Sequence, residues 1–92
     1  MLIEFYGREC GHCKKMDPLI ERLEKELGIK IEKMEVWHDE ENAKKFVDES
    51  RGICQGVPFF VNTETQKTIC GETTYEELKA WATEKPILNS DN

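Results

Sequence analysis

Apolar and polar positions follow two different periods along the chain, and each change of period marks an element. Leu2-Ile3-Glu4-Phe5-Tyr6 is an apolar run broken only by Glu4, the pattern of a short central strand buried on both faces. From Gly11 the spacing changes to steps of three and four (Met16, Leu19, Ile20, Leu23, Leu27) and Gly28 supplies a stop, which predicts a helix over residues 11 to 27. Pro18 falls inside that pattern, where it removes a backbone donor and crowds the preceding turn; a kink at residues 14 to 17 is expected, not an end. Residues 29 to 37, with Ile29, Ile31, Met34 and Val36, predict a second strand, parallel to the first because a helix connects them. Asp39 can cap a second helix whose inner face carries Ala43, Phe46 and Val47 and which ends near Gly52. Residues 59 to 61 and 67 to 70 flank the polar stretch Asn62-Thr63-Glu64-Thr65-Gln66 and read as an antiparallel hairpin. After Gly71, Thr73-x-x-Glu76 and Thr74-x-x-Glu77 are both capping boxes, and Tyr75, Leu78, Trp81 and Ala82 form one face of a closing helix.

The predicted order is β-α-β-α-β-β-α, an α/β domain with a four-stranded mixed sheet covered by helices on both faces. It occupies residues 1 to 84, and the polar residues 85 to 92 form a frayed tail with little to bury. At 92 residues and 38% apolar content the chain holds one small core, and a monomer is expected. Thirteen Lys and Arg against nineteen Asp and Glu leave a net charge of −6, which repels phosphate and argues against a nucleic-acid partner. No apolar run reaches the roughly 18 residues that would span a bilayer, and the first residues lack a signal-peptide pattern. No membrane contact and a cytoplasmic location are the resulting expectations.

Four cysteines in so short a chain mean a disulfide framework, a metal site or redox chemistry. Cys10-Gly-His-Cys13 is a close pair, whereas Cys54 and Cys70 stand alone, so the even spread of a stapled mini-protein is missing. The close pair falls where the first strand gives way to the first helix. Two cysteines three apart there face one side and can close a disulfide reversibly. Cys10 also meets unpaired backbone N–H groups and the positive end of the helix dipole, which favour its thiolate and make it the nucleophile; Cys13, one turn further in, is the resolving thiol. A zinc or iron–sulfur module using the four cysteines is the competing reading, weakened because only one short-spaced pair exists. Cys54 and Cys70 read first as small buried hydrophobes, with a second disulfide as the alternative.

Residues 2 to 14, from Leu2 through Cys10-Gly-His-Cys13 to Lys14, resemble the active-site segment of the thioredoxin-fold superfamily, nearest to protein disulfide isomerase domains. Pro18 matches the kink position of that family, Val57-Pro58 its cis-proline segment, and Gly71 before a helix its ending; the likeness covers residues 2 to 84. Arg8 and Glu9 depart from the family's Pro-Trp or Glu-Trp, and the start at the central strand is similar to glutaredoxins.

The resemblance implies a thiol–disulfide oxidoreductase that works through its own disulfide, with no organic cofactor. Its partners would be protein thiols and disulfides or glutathione, and a reductase. Glu4 aligns with the family's buried acid. Burial would raise its pKa toward neutrality and let it take the Cys13 proton, where the plain alternative is a solvated strand residue. His12 would stabilise the Cys10 thiolate as an imidazolium. A cis Val57-Pro58 bond would set backbone groups beside Cys10 for an added strand of substrate, and Val57, Pro58, Gly71 and Tyr6 are the expected substrate contacts.

Overall fold

The computed structural model describes residues 1 to 83 and holds four strands and three helices in the expected order. β1 (Leu2–Tyr6) lies between β2 (Ile31–Glu35), to which it is parallel, and β3 (Phe59–Asn62), which is antiparallel to it and to the edge strand β4 (Lys67–Cys70). The sheet order is therefore β2-β1-β3-β4. Because alternate strand residues face opposite ways, Leu2, Glu4, Tyr6 and Phe60 share one face, and Ile3, Phe5, Phe59 and Val61 the other.

The first face is covered by α1 (Gly11–Leu27) and α3 (Tyr75–Thr83), which place Met16, Ile20, Leu23, Leu78 and Trp81 against Ile31 and Phe60. Each such side chain removed from water contributes about 1.5–3 kcal/mol, which is why these elements dock here without a long loop to hold them. The second face is covered by α2 (Glu40–Ser50), whose Phe46 ring lies 5.5 Å from Phe5 and 5.6 Å from Phe59, centroid to centroid.

α1 begins at Cys10 as its N-cap, runs through Pro18 and stops at Gly28, which takes the left-handed conformation (φ 64°) and returns its N–H to Glu24. Asp39 caps α2 by accepting the Asn42 N–H, as its position predicts. Of the two capping boxes at α3, the second forms: Thr74 Oγ1 accepts the Glu77 N–H, while the Glu77 carboxylate receives the Thr73 hydroxyl instead of a backbone group.

Three expectations need correction. β2 spans five residues where nine were predicted, because the Glu35 carboxylate folds back onto the turn that follows it. Val47 is exposed, not internal; α2 is short and lies on the sheet through Phe46, and it is Ser50 that is buried. Asn62, expected in the hairpin loop, ends β3 as a buried residue. Its Nδ2 donates to the Trp81 carbonyl at 3.0 Å, and its Oδ1 accepts the N–H groups of Glu64 and Thr65. The predicted tail from residue 85 lies outside the described residues.

Candidate active site

The junction of β1 with α1 carries the site. Gly7, Arg8 and Glu9 turn the chain, the Cys10 N–H donates to the Gly7 carbonyl at 3.0 Å, and α1 starts. Cys10 and Cys13 form a disulfide with their Cα atoms 5.2 Å apart. The Cys13 N–H donates to Cys10 Sγ at 3.1 Å, so the sulfur itself occupies the N-cap position and satisfies one of the orphan donors of the helix. Both cysteines are buried, Cys10 at 5% and Cys13 at 3% exposure, a smaller difference than the roles of attacking and resolving thiol suggest.

The turn is clasped from β2. Glu35 accepts the N–H groups of Arg8 at 2.9 Å, Trp37 at 3.1 Å and His38 at 2.8 Å, and the His38 ring reaches the Glu9 carboxylate at 2.8 Å. Burial works against the charge on Glu35, yet these three amide bonds hold its carboxyl below the usual range. The half-exposed Trp37 indole lies so close over Gly7 that a Cβ there would stand 2.3 Å from its Cδ2, so a side chain at Gly7 would displace the indole. Of these residues the sequence drew attention only to Arg8 and Glu9, as departures from the family's pattern, and gave no sign of the clasp. They belong to two polar loops with no period to reveal that they meet.

Glu4 is fully buried beneath α1, on the face that also receives the buried side of that helix. Neither carboxylate oxygen has a hydrogen-bond partner among the described residues. Burial pushes its pKa up to about 7, against a pull from Lys33 and with a further push from Asp17. Lys33 stands in register with Glu4 across the parallel pair, its Nζ 4.0 Å from Glu4 Oε1 and 2.8 Å from Asp17 Oδ1. A buried acid on a central strand calls for a cation on the neighbouring strand, and that register could have flagged Lys33.

His12 is exposed, and its Nδ1 contacts the Glu72 carboxylate, which it holds below the usual range. Glu72 follows Gly71 at the end of β4, so the motif's own histidine is tied to the far side of the sheet.

Val57-Pro58 is cis. The Val57 carbonyl oxygen lies 3.7 Å from Cys10 Sγ, and the Pro58 carbonyl accepts the Gly71 N–H at 2.8 Å, with Gly71 at φ 94°. Three of the four predicted substrate contacts therefore adjoin one another, and one of them adjoins Cys10. Tyr6 pairs with Glu35 on β2, the β1–β3 register continued past Phe5 and Phe59 sets it opposite Pro58, and Lys33 Nζ lies 5.7 Å from its ring centroid.

Cys54 and Cys70 are paired in a second disulfide with Cα atoms 5.7 Å apart, which corrects their reading as separate buried hydrophobes. Cys54 is buried, but Cys70 is exposed at the sheet edge. The four cysteines are thus drawn two and two, and no group of three or more potential metal ligands forms among the described residues. No helix of the described residues is long and apolar enough to cross a membrane.

A sheet of this order with a Cys-x-x-Cys disulfide at the N-terminus of α1 and a cis proline opposite defines the class of thioredoxin-fold redox domains. The family model described as Thioredoxin matches residues 1–84, and the chain belongs to that family. It is similar to thioredoxin of Bacillus subtilis, 38% identical over 48 residues that cover 50% of this chain and 46% of that one. It is also similar to protein disulfide-isomerase A4 of Homo sapiens, 39% identical over 51 residues, which cover 50% of this chain but 8% of that much longer one. The chain thus spans less than half the length of these relatives. Among solved structures, thioredoxin 1 of Thermosipho africanus superposes with a TM-score of 0.65 at 22% identity, covering 88% of each chain. A glutaredoxin of Archaeoglobus fulgidus superposes with a TM-score of 0.59 at 23% identity, covering 89% of this chain and 85% of that one.

Proposed function

We propose that this chain is a thiol–disulfide oxidoreductase that exchanges disulfides with protein or glutathione substrates through Cys10 and Cys13 and takes its electrons from a reductase. The observation that carries the reading is the seat of Cys10. Its sulfur caps α1, receives a backbone N–H and faces the positive end of a helix dipole, three features that favour a thiolate once the disulfide is open.

In the reducing direction the Cys10 thiolate attacks a substrate disulfide. One substrate sulfur leaves and takes up a proton, and a mixed disulfide to Cys10 remains. Cys13 gives its proton to the Glu4 carboxylate and attacks Cys10 Sγ. The second substrate thiol departs, and two electrons have passed from the Cys10–Cys13 dithiol to the substrate. With a pKa of about 7, Glu4 accepts and returns a proton near neutrality at little cost in either direction. An extended substrate segment adds to the edge at Val57-Pro58, where the Val57 carbonyl already lies beside Cys10.

Trapping tests this reading. Cys13→Ser should accumulate a stable mixed disulfide on Cys10 with a disulfide-containing peptide, and Cys10→Ser should form none on Cys13. No adduct on Cys10 in the first variant, or an adduct on Cys13 in the second, would overturn it.

A further inference from the structure

The Cys54–Cys70 disulfide takes no part in the chemistry above, yet it frames the segment on which substrate would dock. Cys54 lies in the irregular stretch after α2, buried in the cluster of Ile3, Phe5, Phe59 and Val61. Cys70 ends β4, the edge strand of the sheet, and is exposed. Contacts beside both anchors lead to the docking segment: Cys54 Sγ lies 3.2 Å from the Gly56 carbonyl oxygen, the Val57 carbonyl adjoins Cys10, and Gly71, directly after Cys70, donates its N–H to Pro58. Glu72, one residue further on, holds His12 of the Cys10–Cys13 turn.

We propose that Cys54–Cys70 is a second exchangeable disulfide, opened by external dithiols through attack on the Cys70 sulfur, and that its redox state sets the order of the edge at Val57-Pro58. The second half rests on the docking role assigned to that edge; the exchange itself does not.

The two sulfurs are unequal in the way attack requires. An incoming thiolate must reach one sulfur and expel the other, and only the Cys70 end of this bond belongs to an exposed residue. The thiolate of a dithiol bonds to Cys70 Sγ, the S–S bond breaks, and Cys54 leaves as a thiolate. In an apolar pocket beside a carbonyl oxygen that anion is disfavoured, so it takes the proton of the second thiol of the dithiol. The second sulfur, now a thiolate, attacks the first at the mixed disulfide. The products are a cyclic disulfide, with the Cys54 and Cys70 thiols after proton uptake. Two electrons and two protons have moved.

Once the bond is open, residues 51 to 58 lose their covalent tie to β4. The bond from Gly71 N–H to Pro58 O still links that segment to the strand end.

The experiment uses the Cys10→Ser/Cys13→Ser protein, which retains this one disulfide and cannot exchange through the first pair. Folded protein is equilibrated in graded ratios of reduced and oxidised dithiothreitol without denaturant, quenched in acid, alkylated and mapped by peptide. The proposal expects two thiols to appear and disappear together while far-UV circular dichroism stays native. A glutathione pulse should leave its adduct on Cys70, and reduction should speed exchange of the Gly71 amide about fivefold, as the weakening of one hydrogen bond gives. Thiols that appear only on unfolding, an adduct on Cys54, or equal Gly71 protection in both states would each overturn it. Peptide mapping of the wild-type protein gives the same assignment should the double variant fold poorly.

Discussion

The two disulfides contain the same bond in opposite surroundings. Cys10–Cys13 closes a single helical turn, with a backbone N–H directed at the first sulfur and a buried acid on the sheet face beneath α1. Cys54–Cys70 joins residues 16 apart, with one sulfur among aromatic and aliphatic side chains and beside a carbonyl oxygen, an acceptor that gives a thiolate nothing. The local environment, not the pairing, decides which cysteine can carry charge. Chain entropy ranks the pairs the other way, since on that account the longer loop contributes about 3 kcal/mol to stability and the short one about 2.

Substitution of Cys10 should break the comparison most completely. Cys10→Ser should reduce exchange with a disulfide reporter to background while the protein keeps its second disulfide and its fold, as turnover and thiol counting will show. The stability ranking is next. Cys54→Ala/Cys70→Ala should lower the unfolding free energy in urea by about 3 kcal/mol and Cys10→Ala/Cys13→Ala by about 2 kcal/mol or less. A reversed order would show that the second pair is not the staple.

Glu4 sharpens the contrast through pH. Its folded pKa of about 7 lies above the ordinary 4.5, so the folded state binds the extra proton and wild-type stability falls as pH rises through that window. Glu4→Gln should remove this loss, gaining on wild type by about 3 kcal/mol between pH 4 and pH 8 in urea titrations. The same variant should slow the step that needs Cys13 deprotonated and leave formation of the first mixed disulfide nearly intact; equal losses in both steps would leave Glu4 a packing role only.

The smallest effects belong to the exposed pair above the motif. His12→Ser should make the Cys10–Cys13 couple more reducing by removing positive charge near the thiolate, and Glu72→Gln should shift it the opposite way by removing the negative charge that offsets it. Equilibration with glutathione reads both signs, and shifts in the same direction would exclude an electrostatic cause.

What the sequence made legible was local. The strand-to-helix junction, the stop at Gly28, the cap at Asp39 and the Cys10–Cys13 pair each depend on residues within one or two turns of one another. The Cys54–Cys70 pairing was left open because it depends on where the hairpin lays β4 beside β3, which no spacing encodes. Val47 was misplaced for a related reason: one short helix on a twisted sheet buries a narrower stripe than its period suggests. The Glu35, Trp37 and His38 clasp and the Glu72 contact join loops distant in sequence and polar in composition, where hydrophobic pattern carries no signal.

The most direct test is the rate of alkylation of each cysteine in the fully reduced protein as a function of pH, read by peptide mapping. Cys10 should react fastest at mildly acidic pH, with Cys13, Cys54 and Cys70 catching up only as the medium becomes alkaline. If any of those three outpaces Cys10 at mildly acidic pH, the nucleophile is misassigned and the account of the site fails with it.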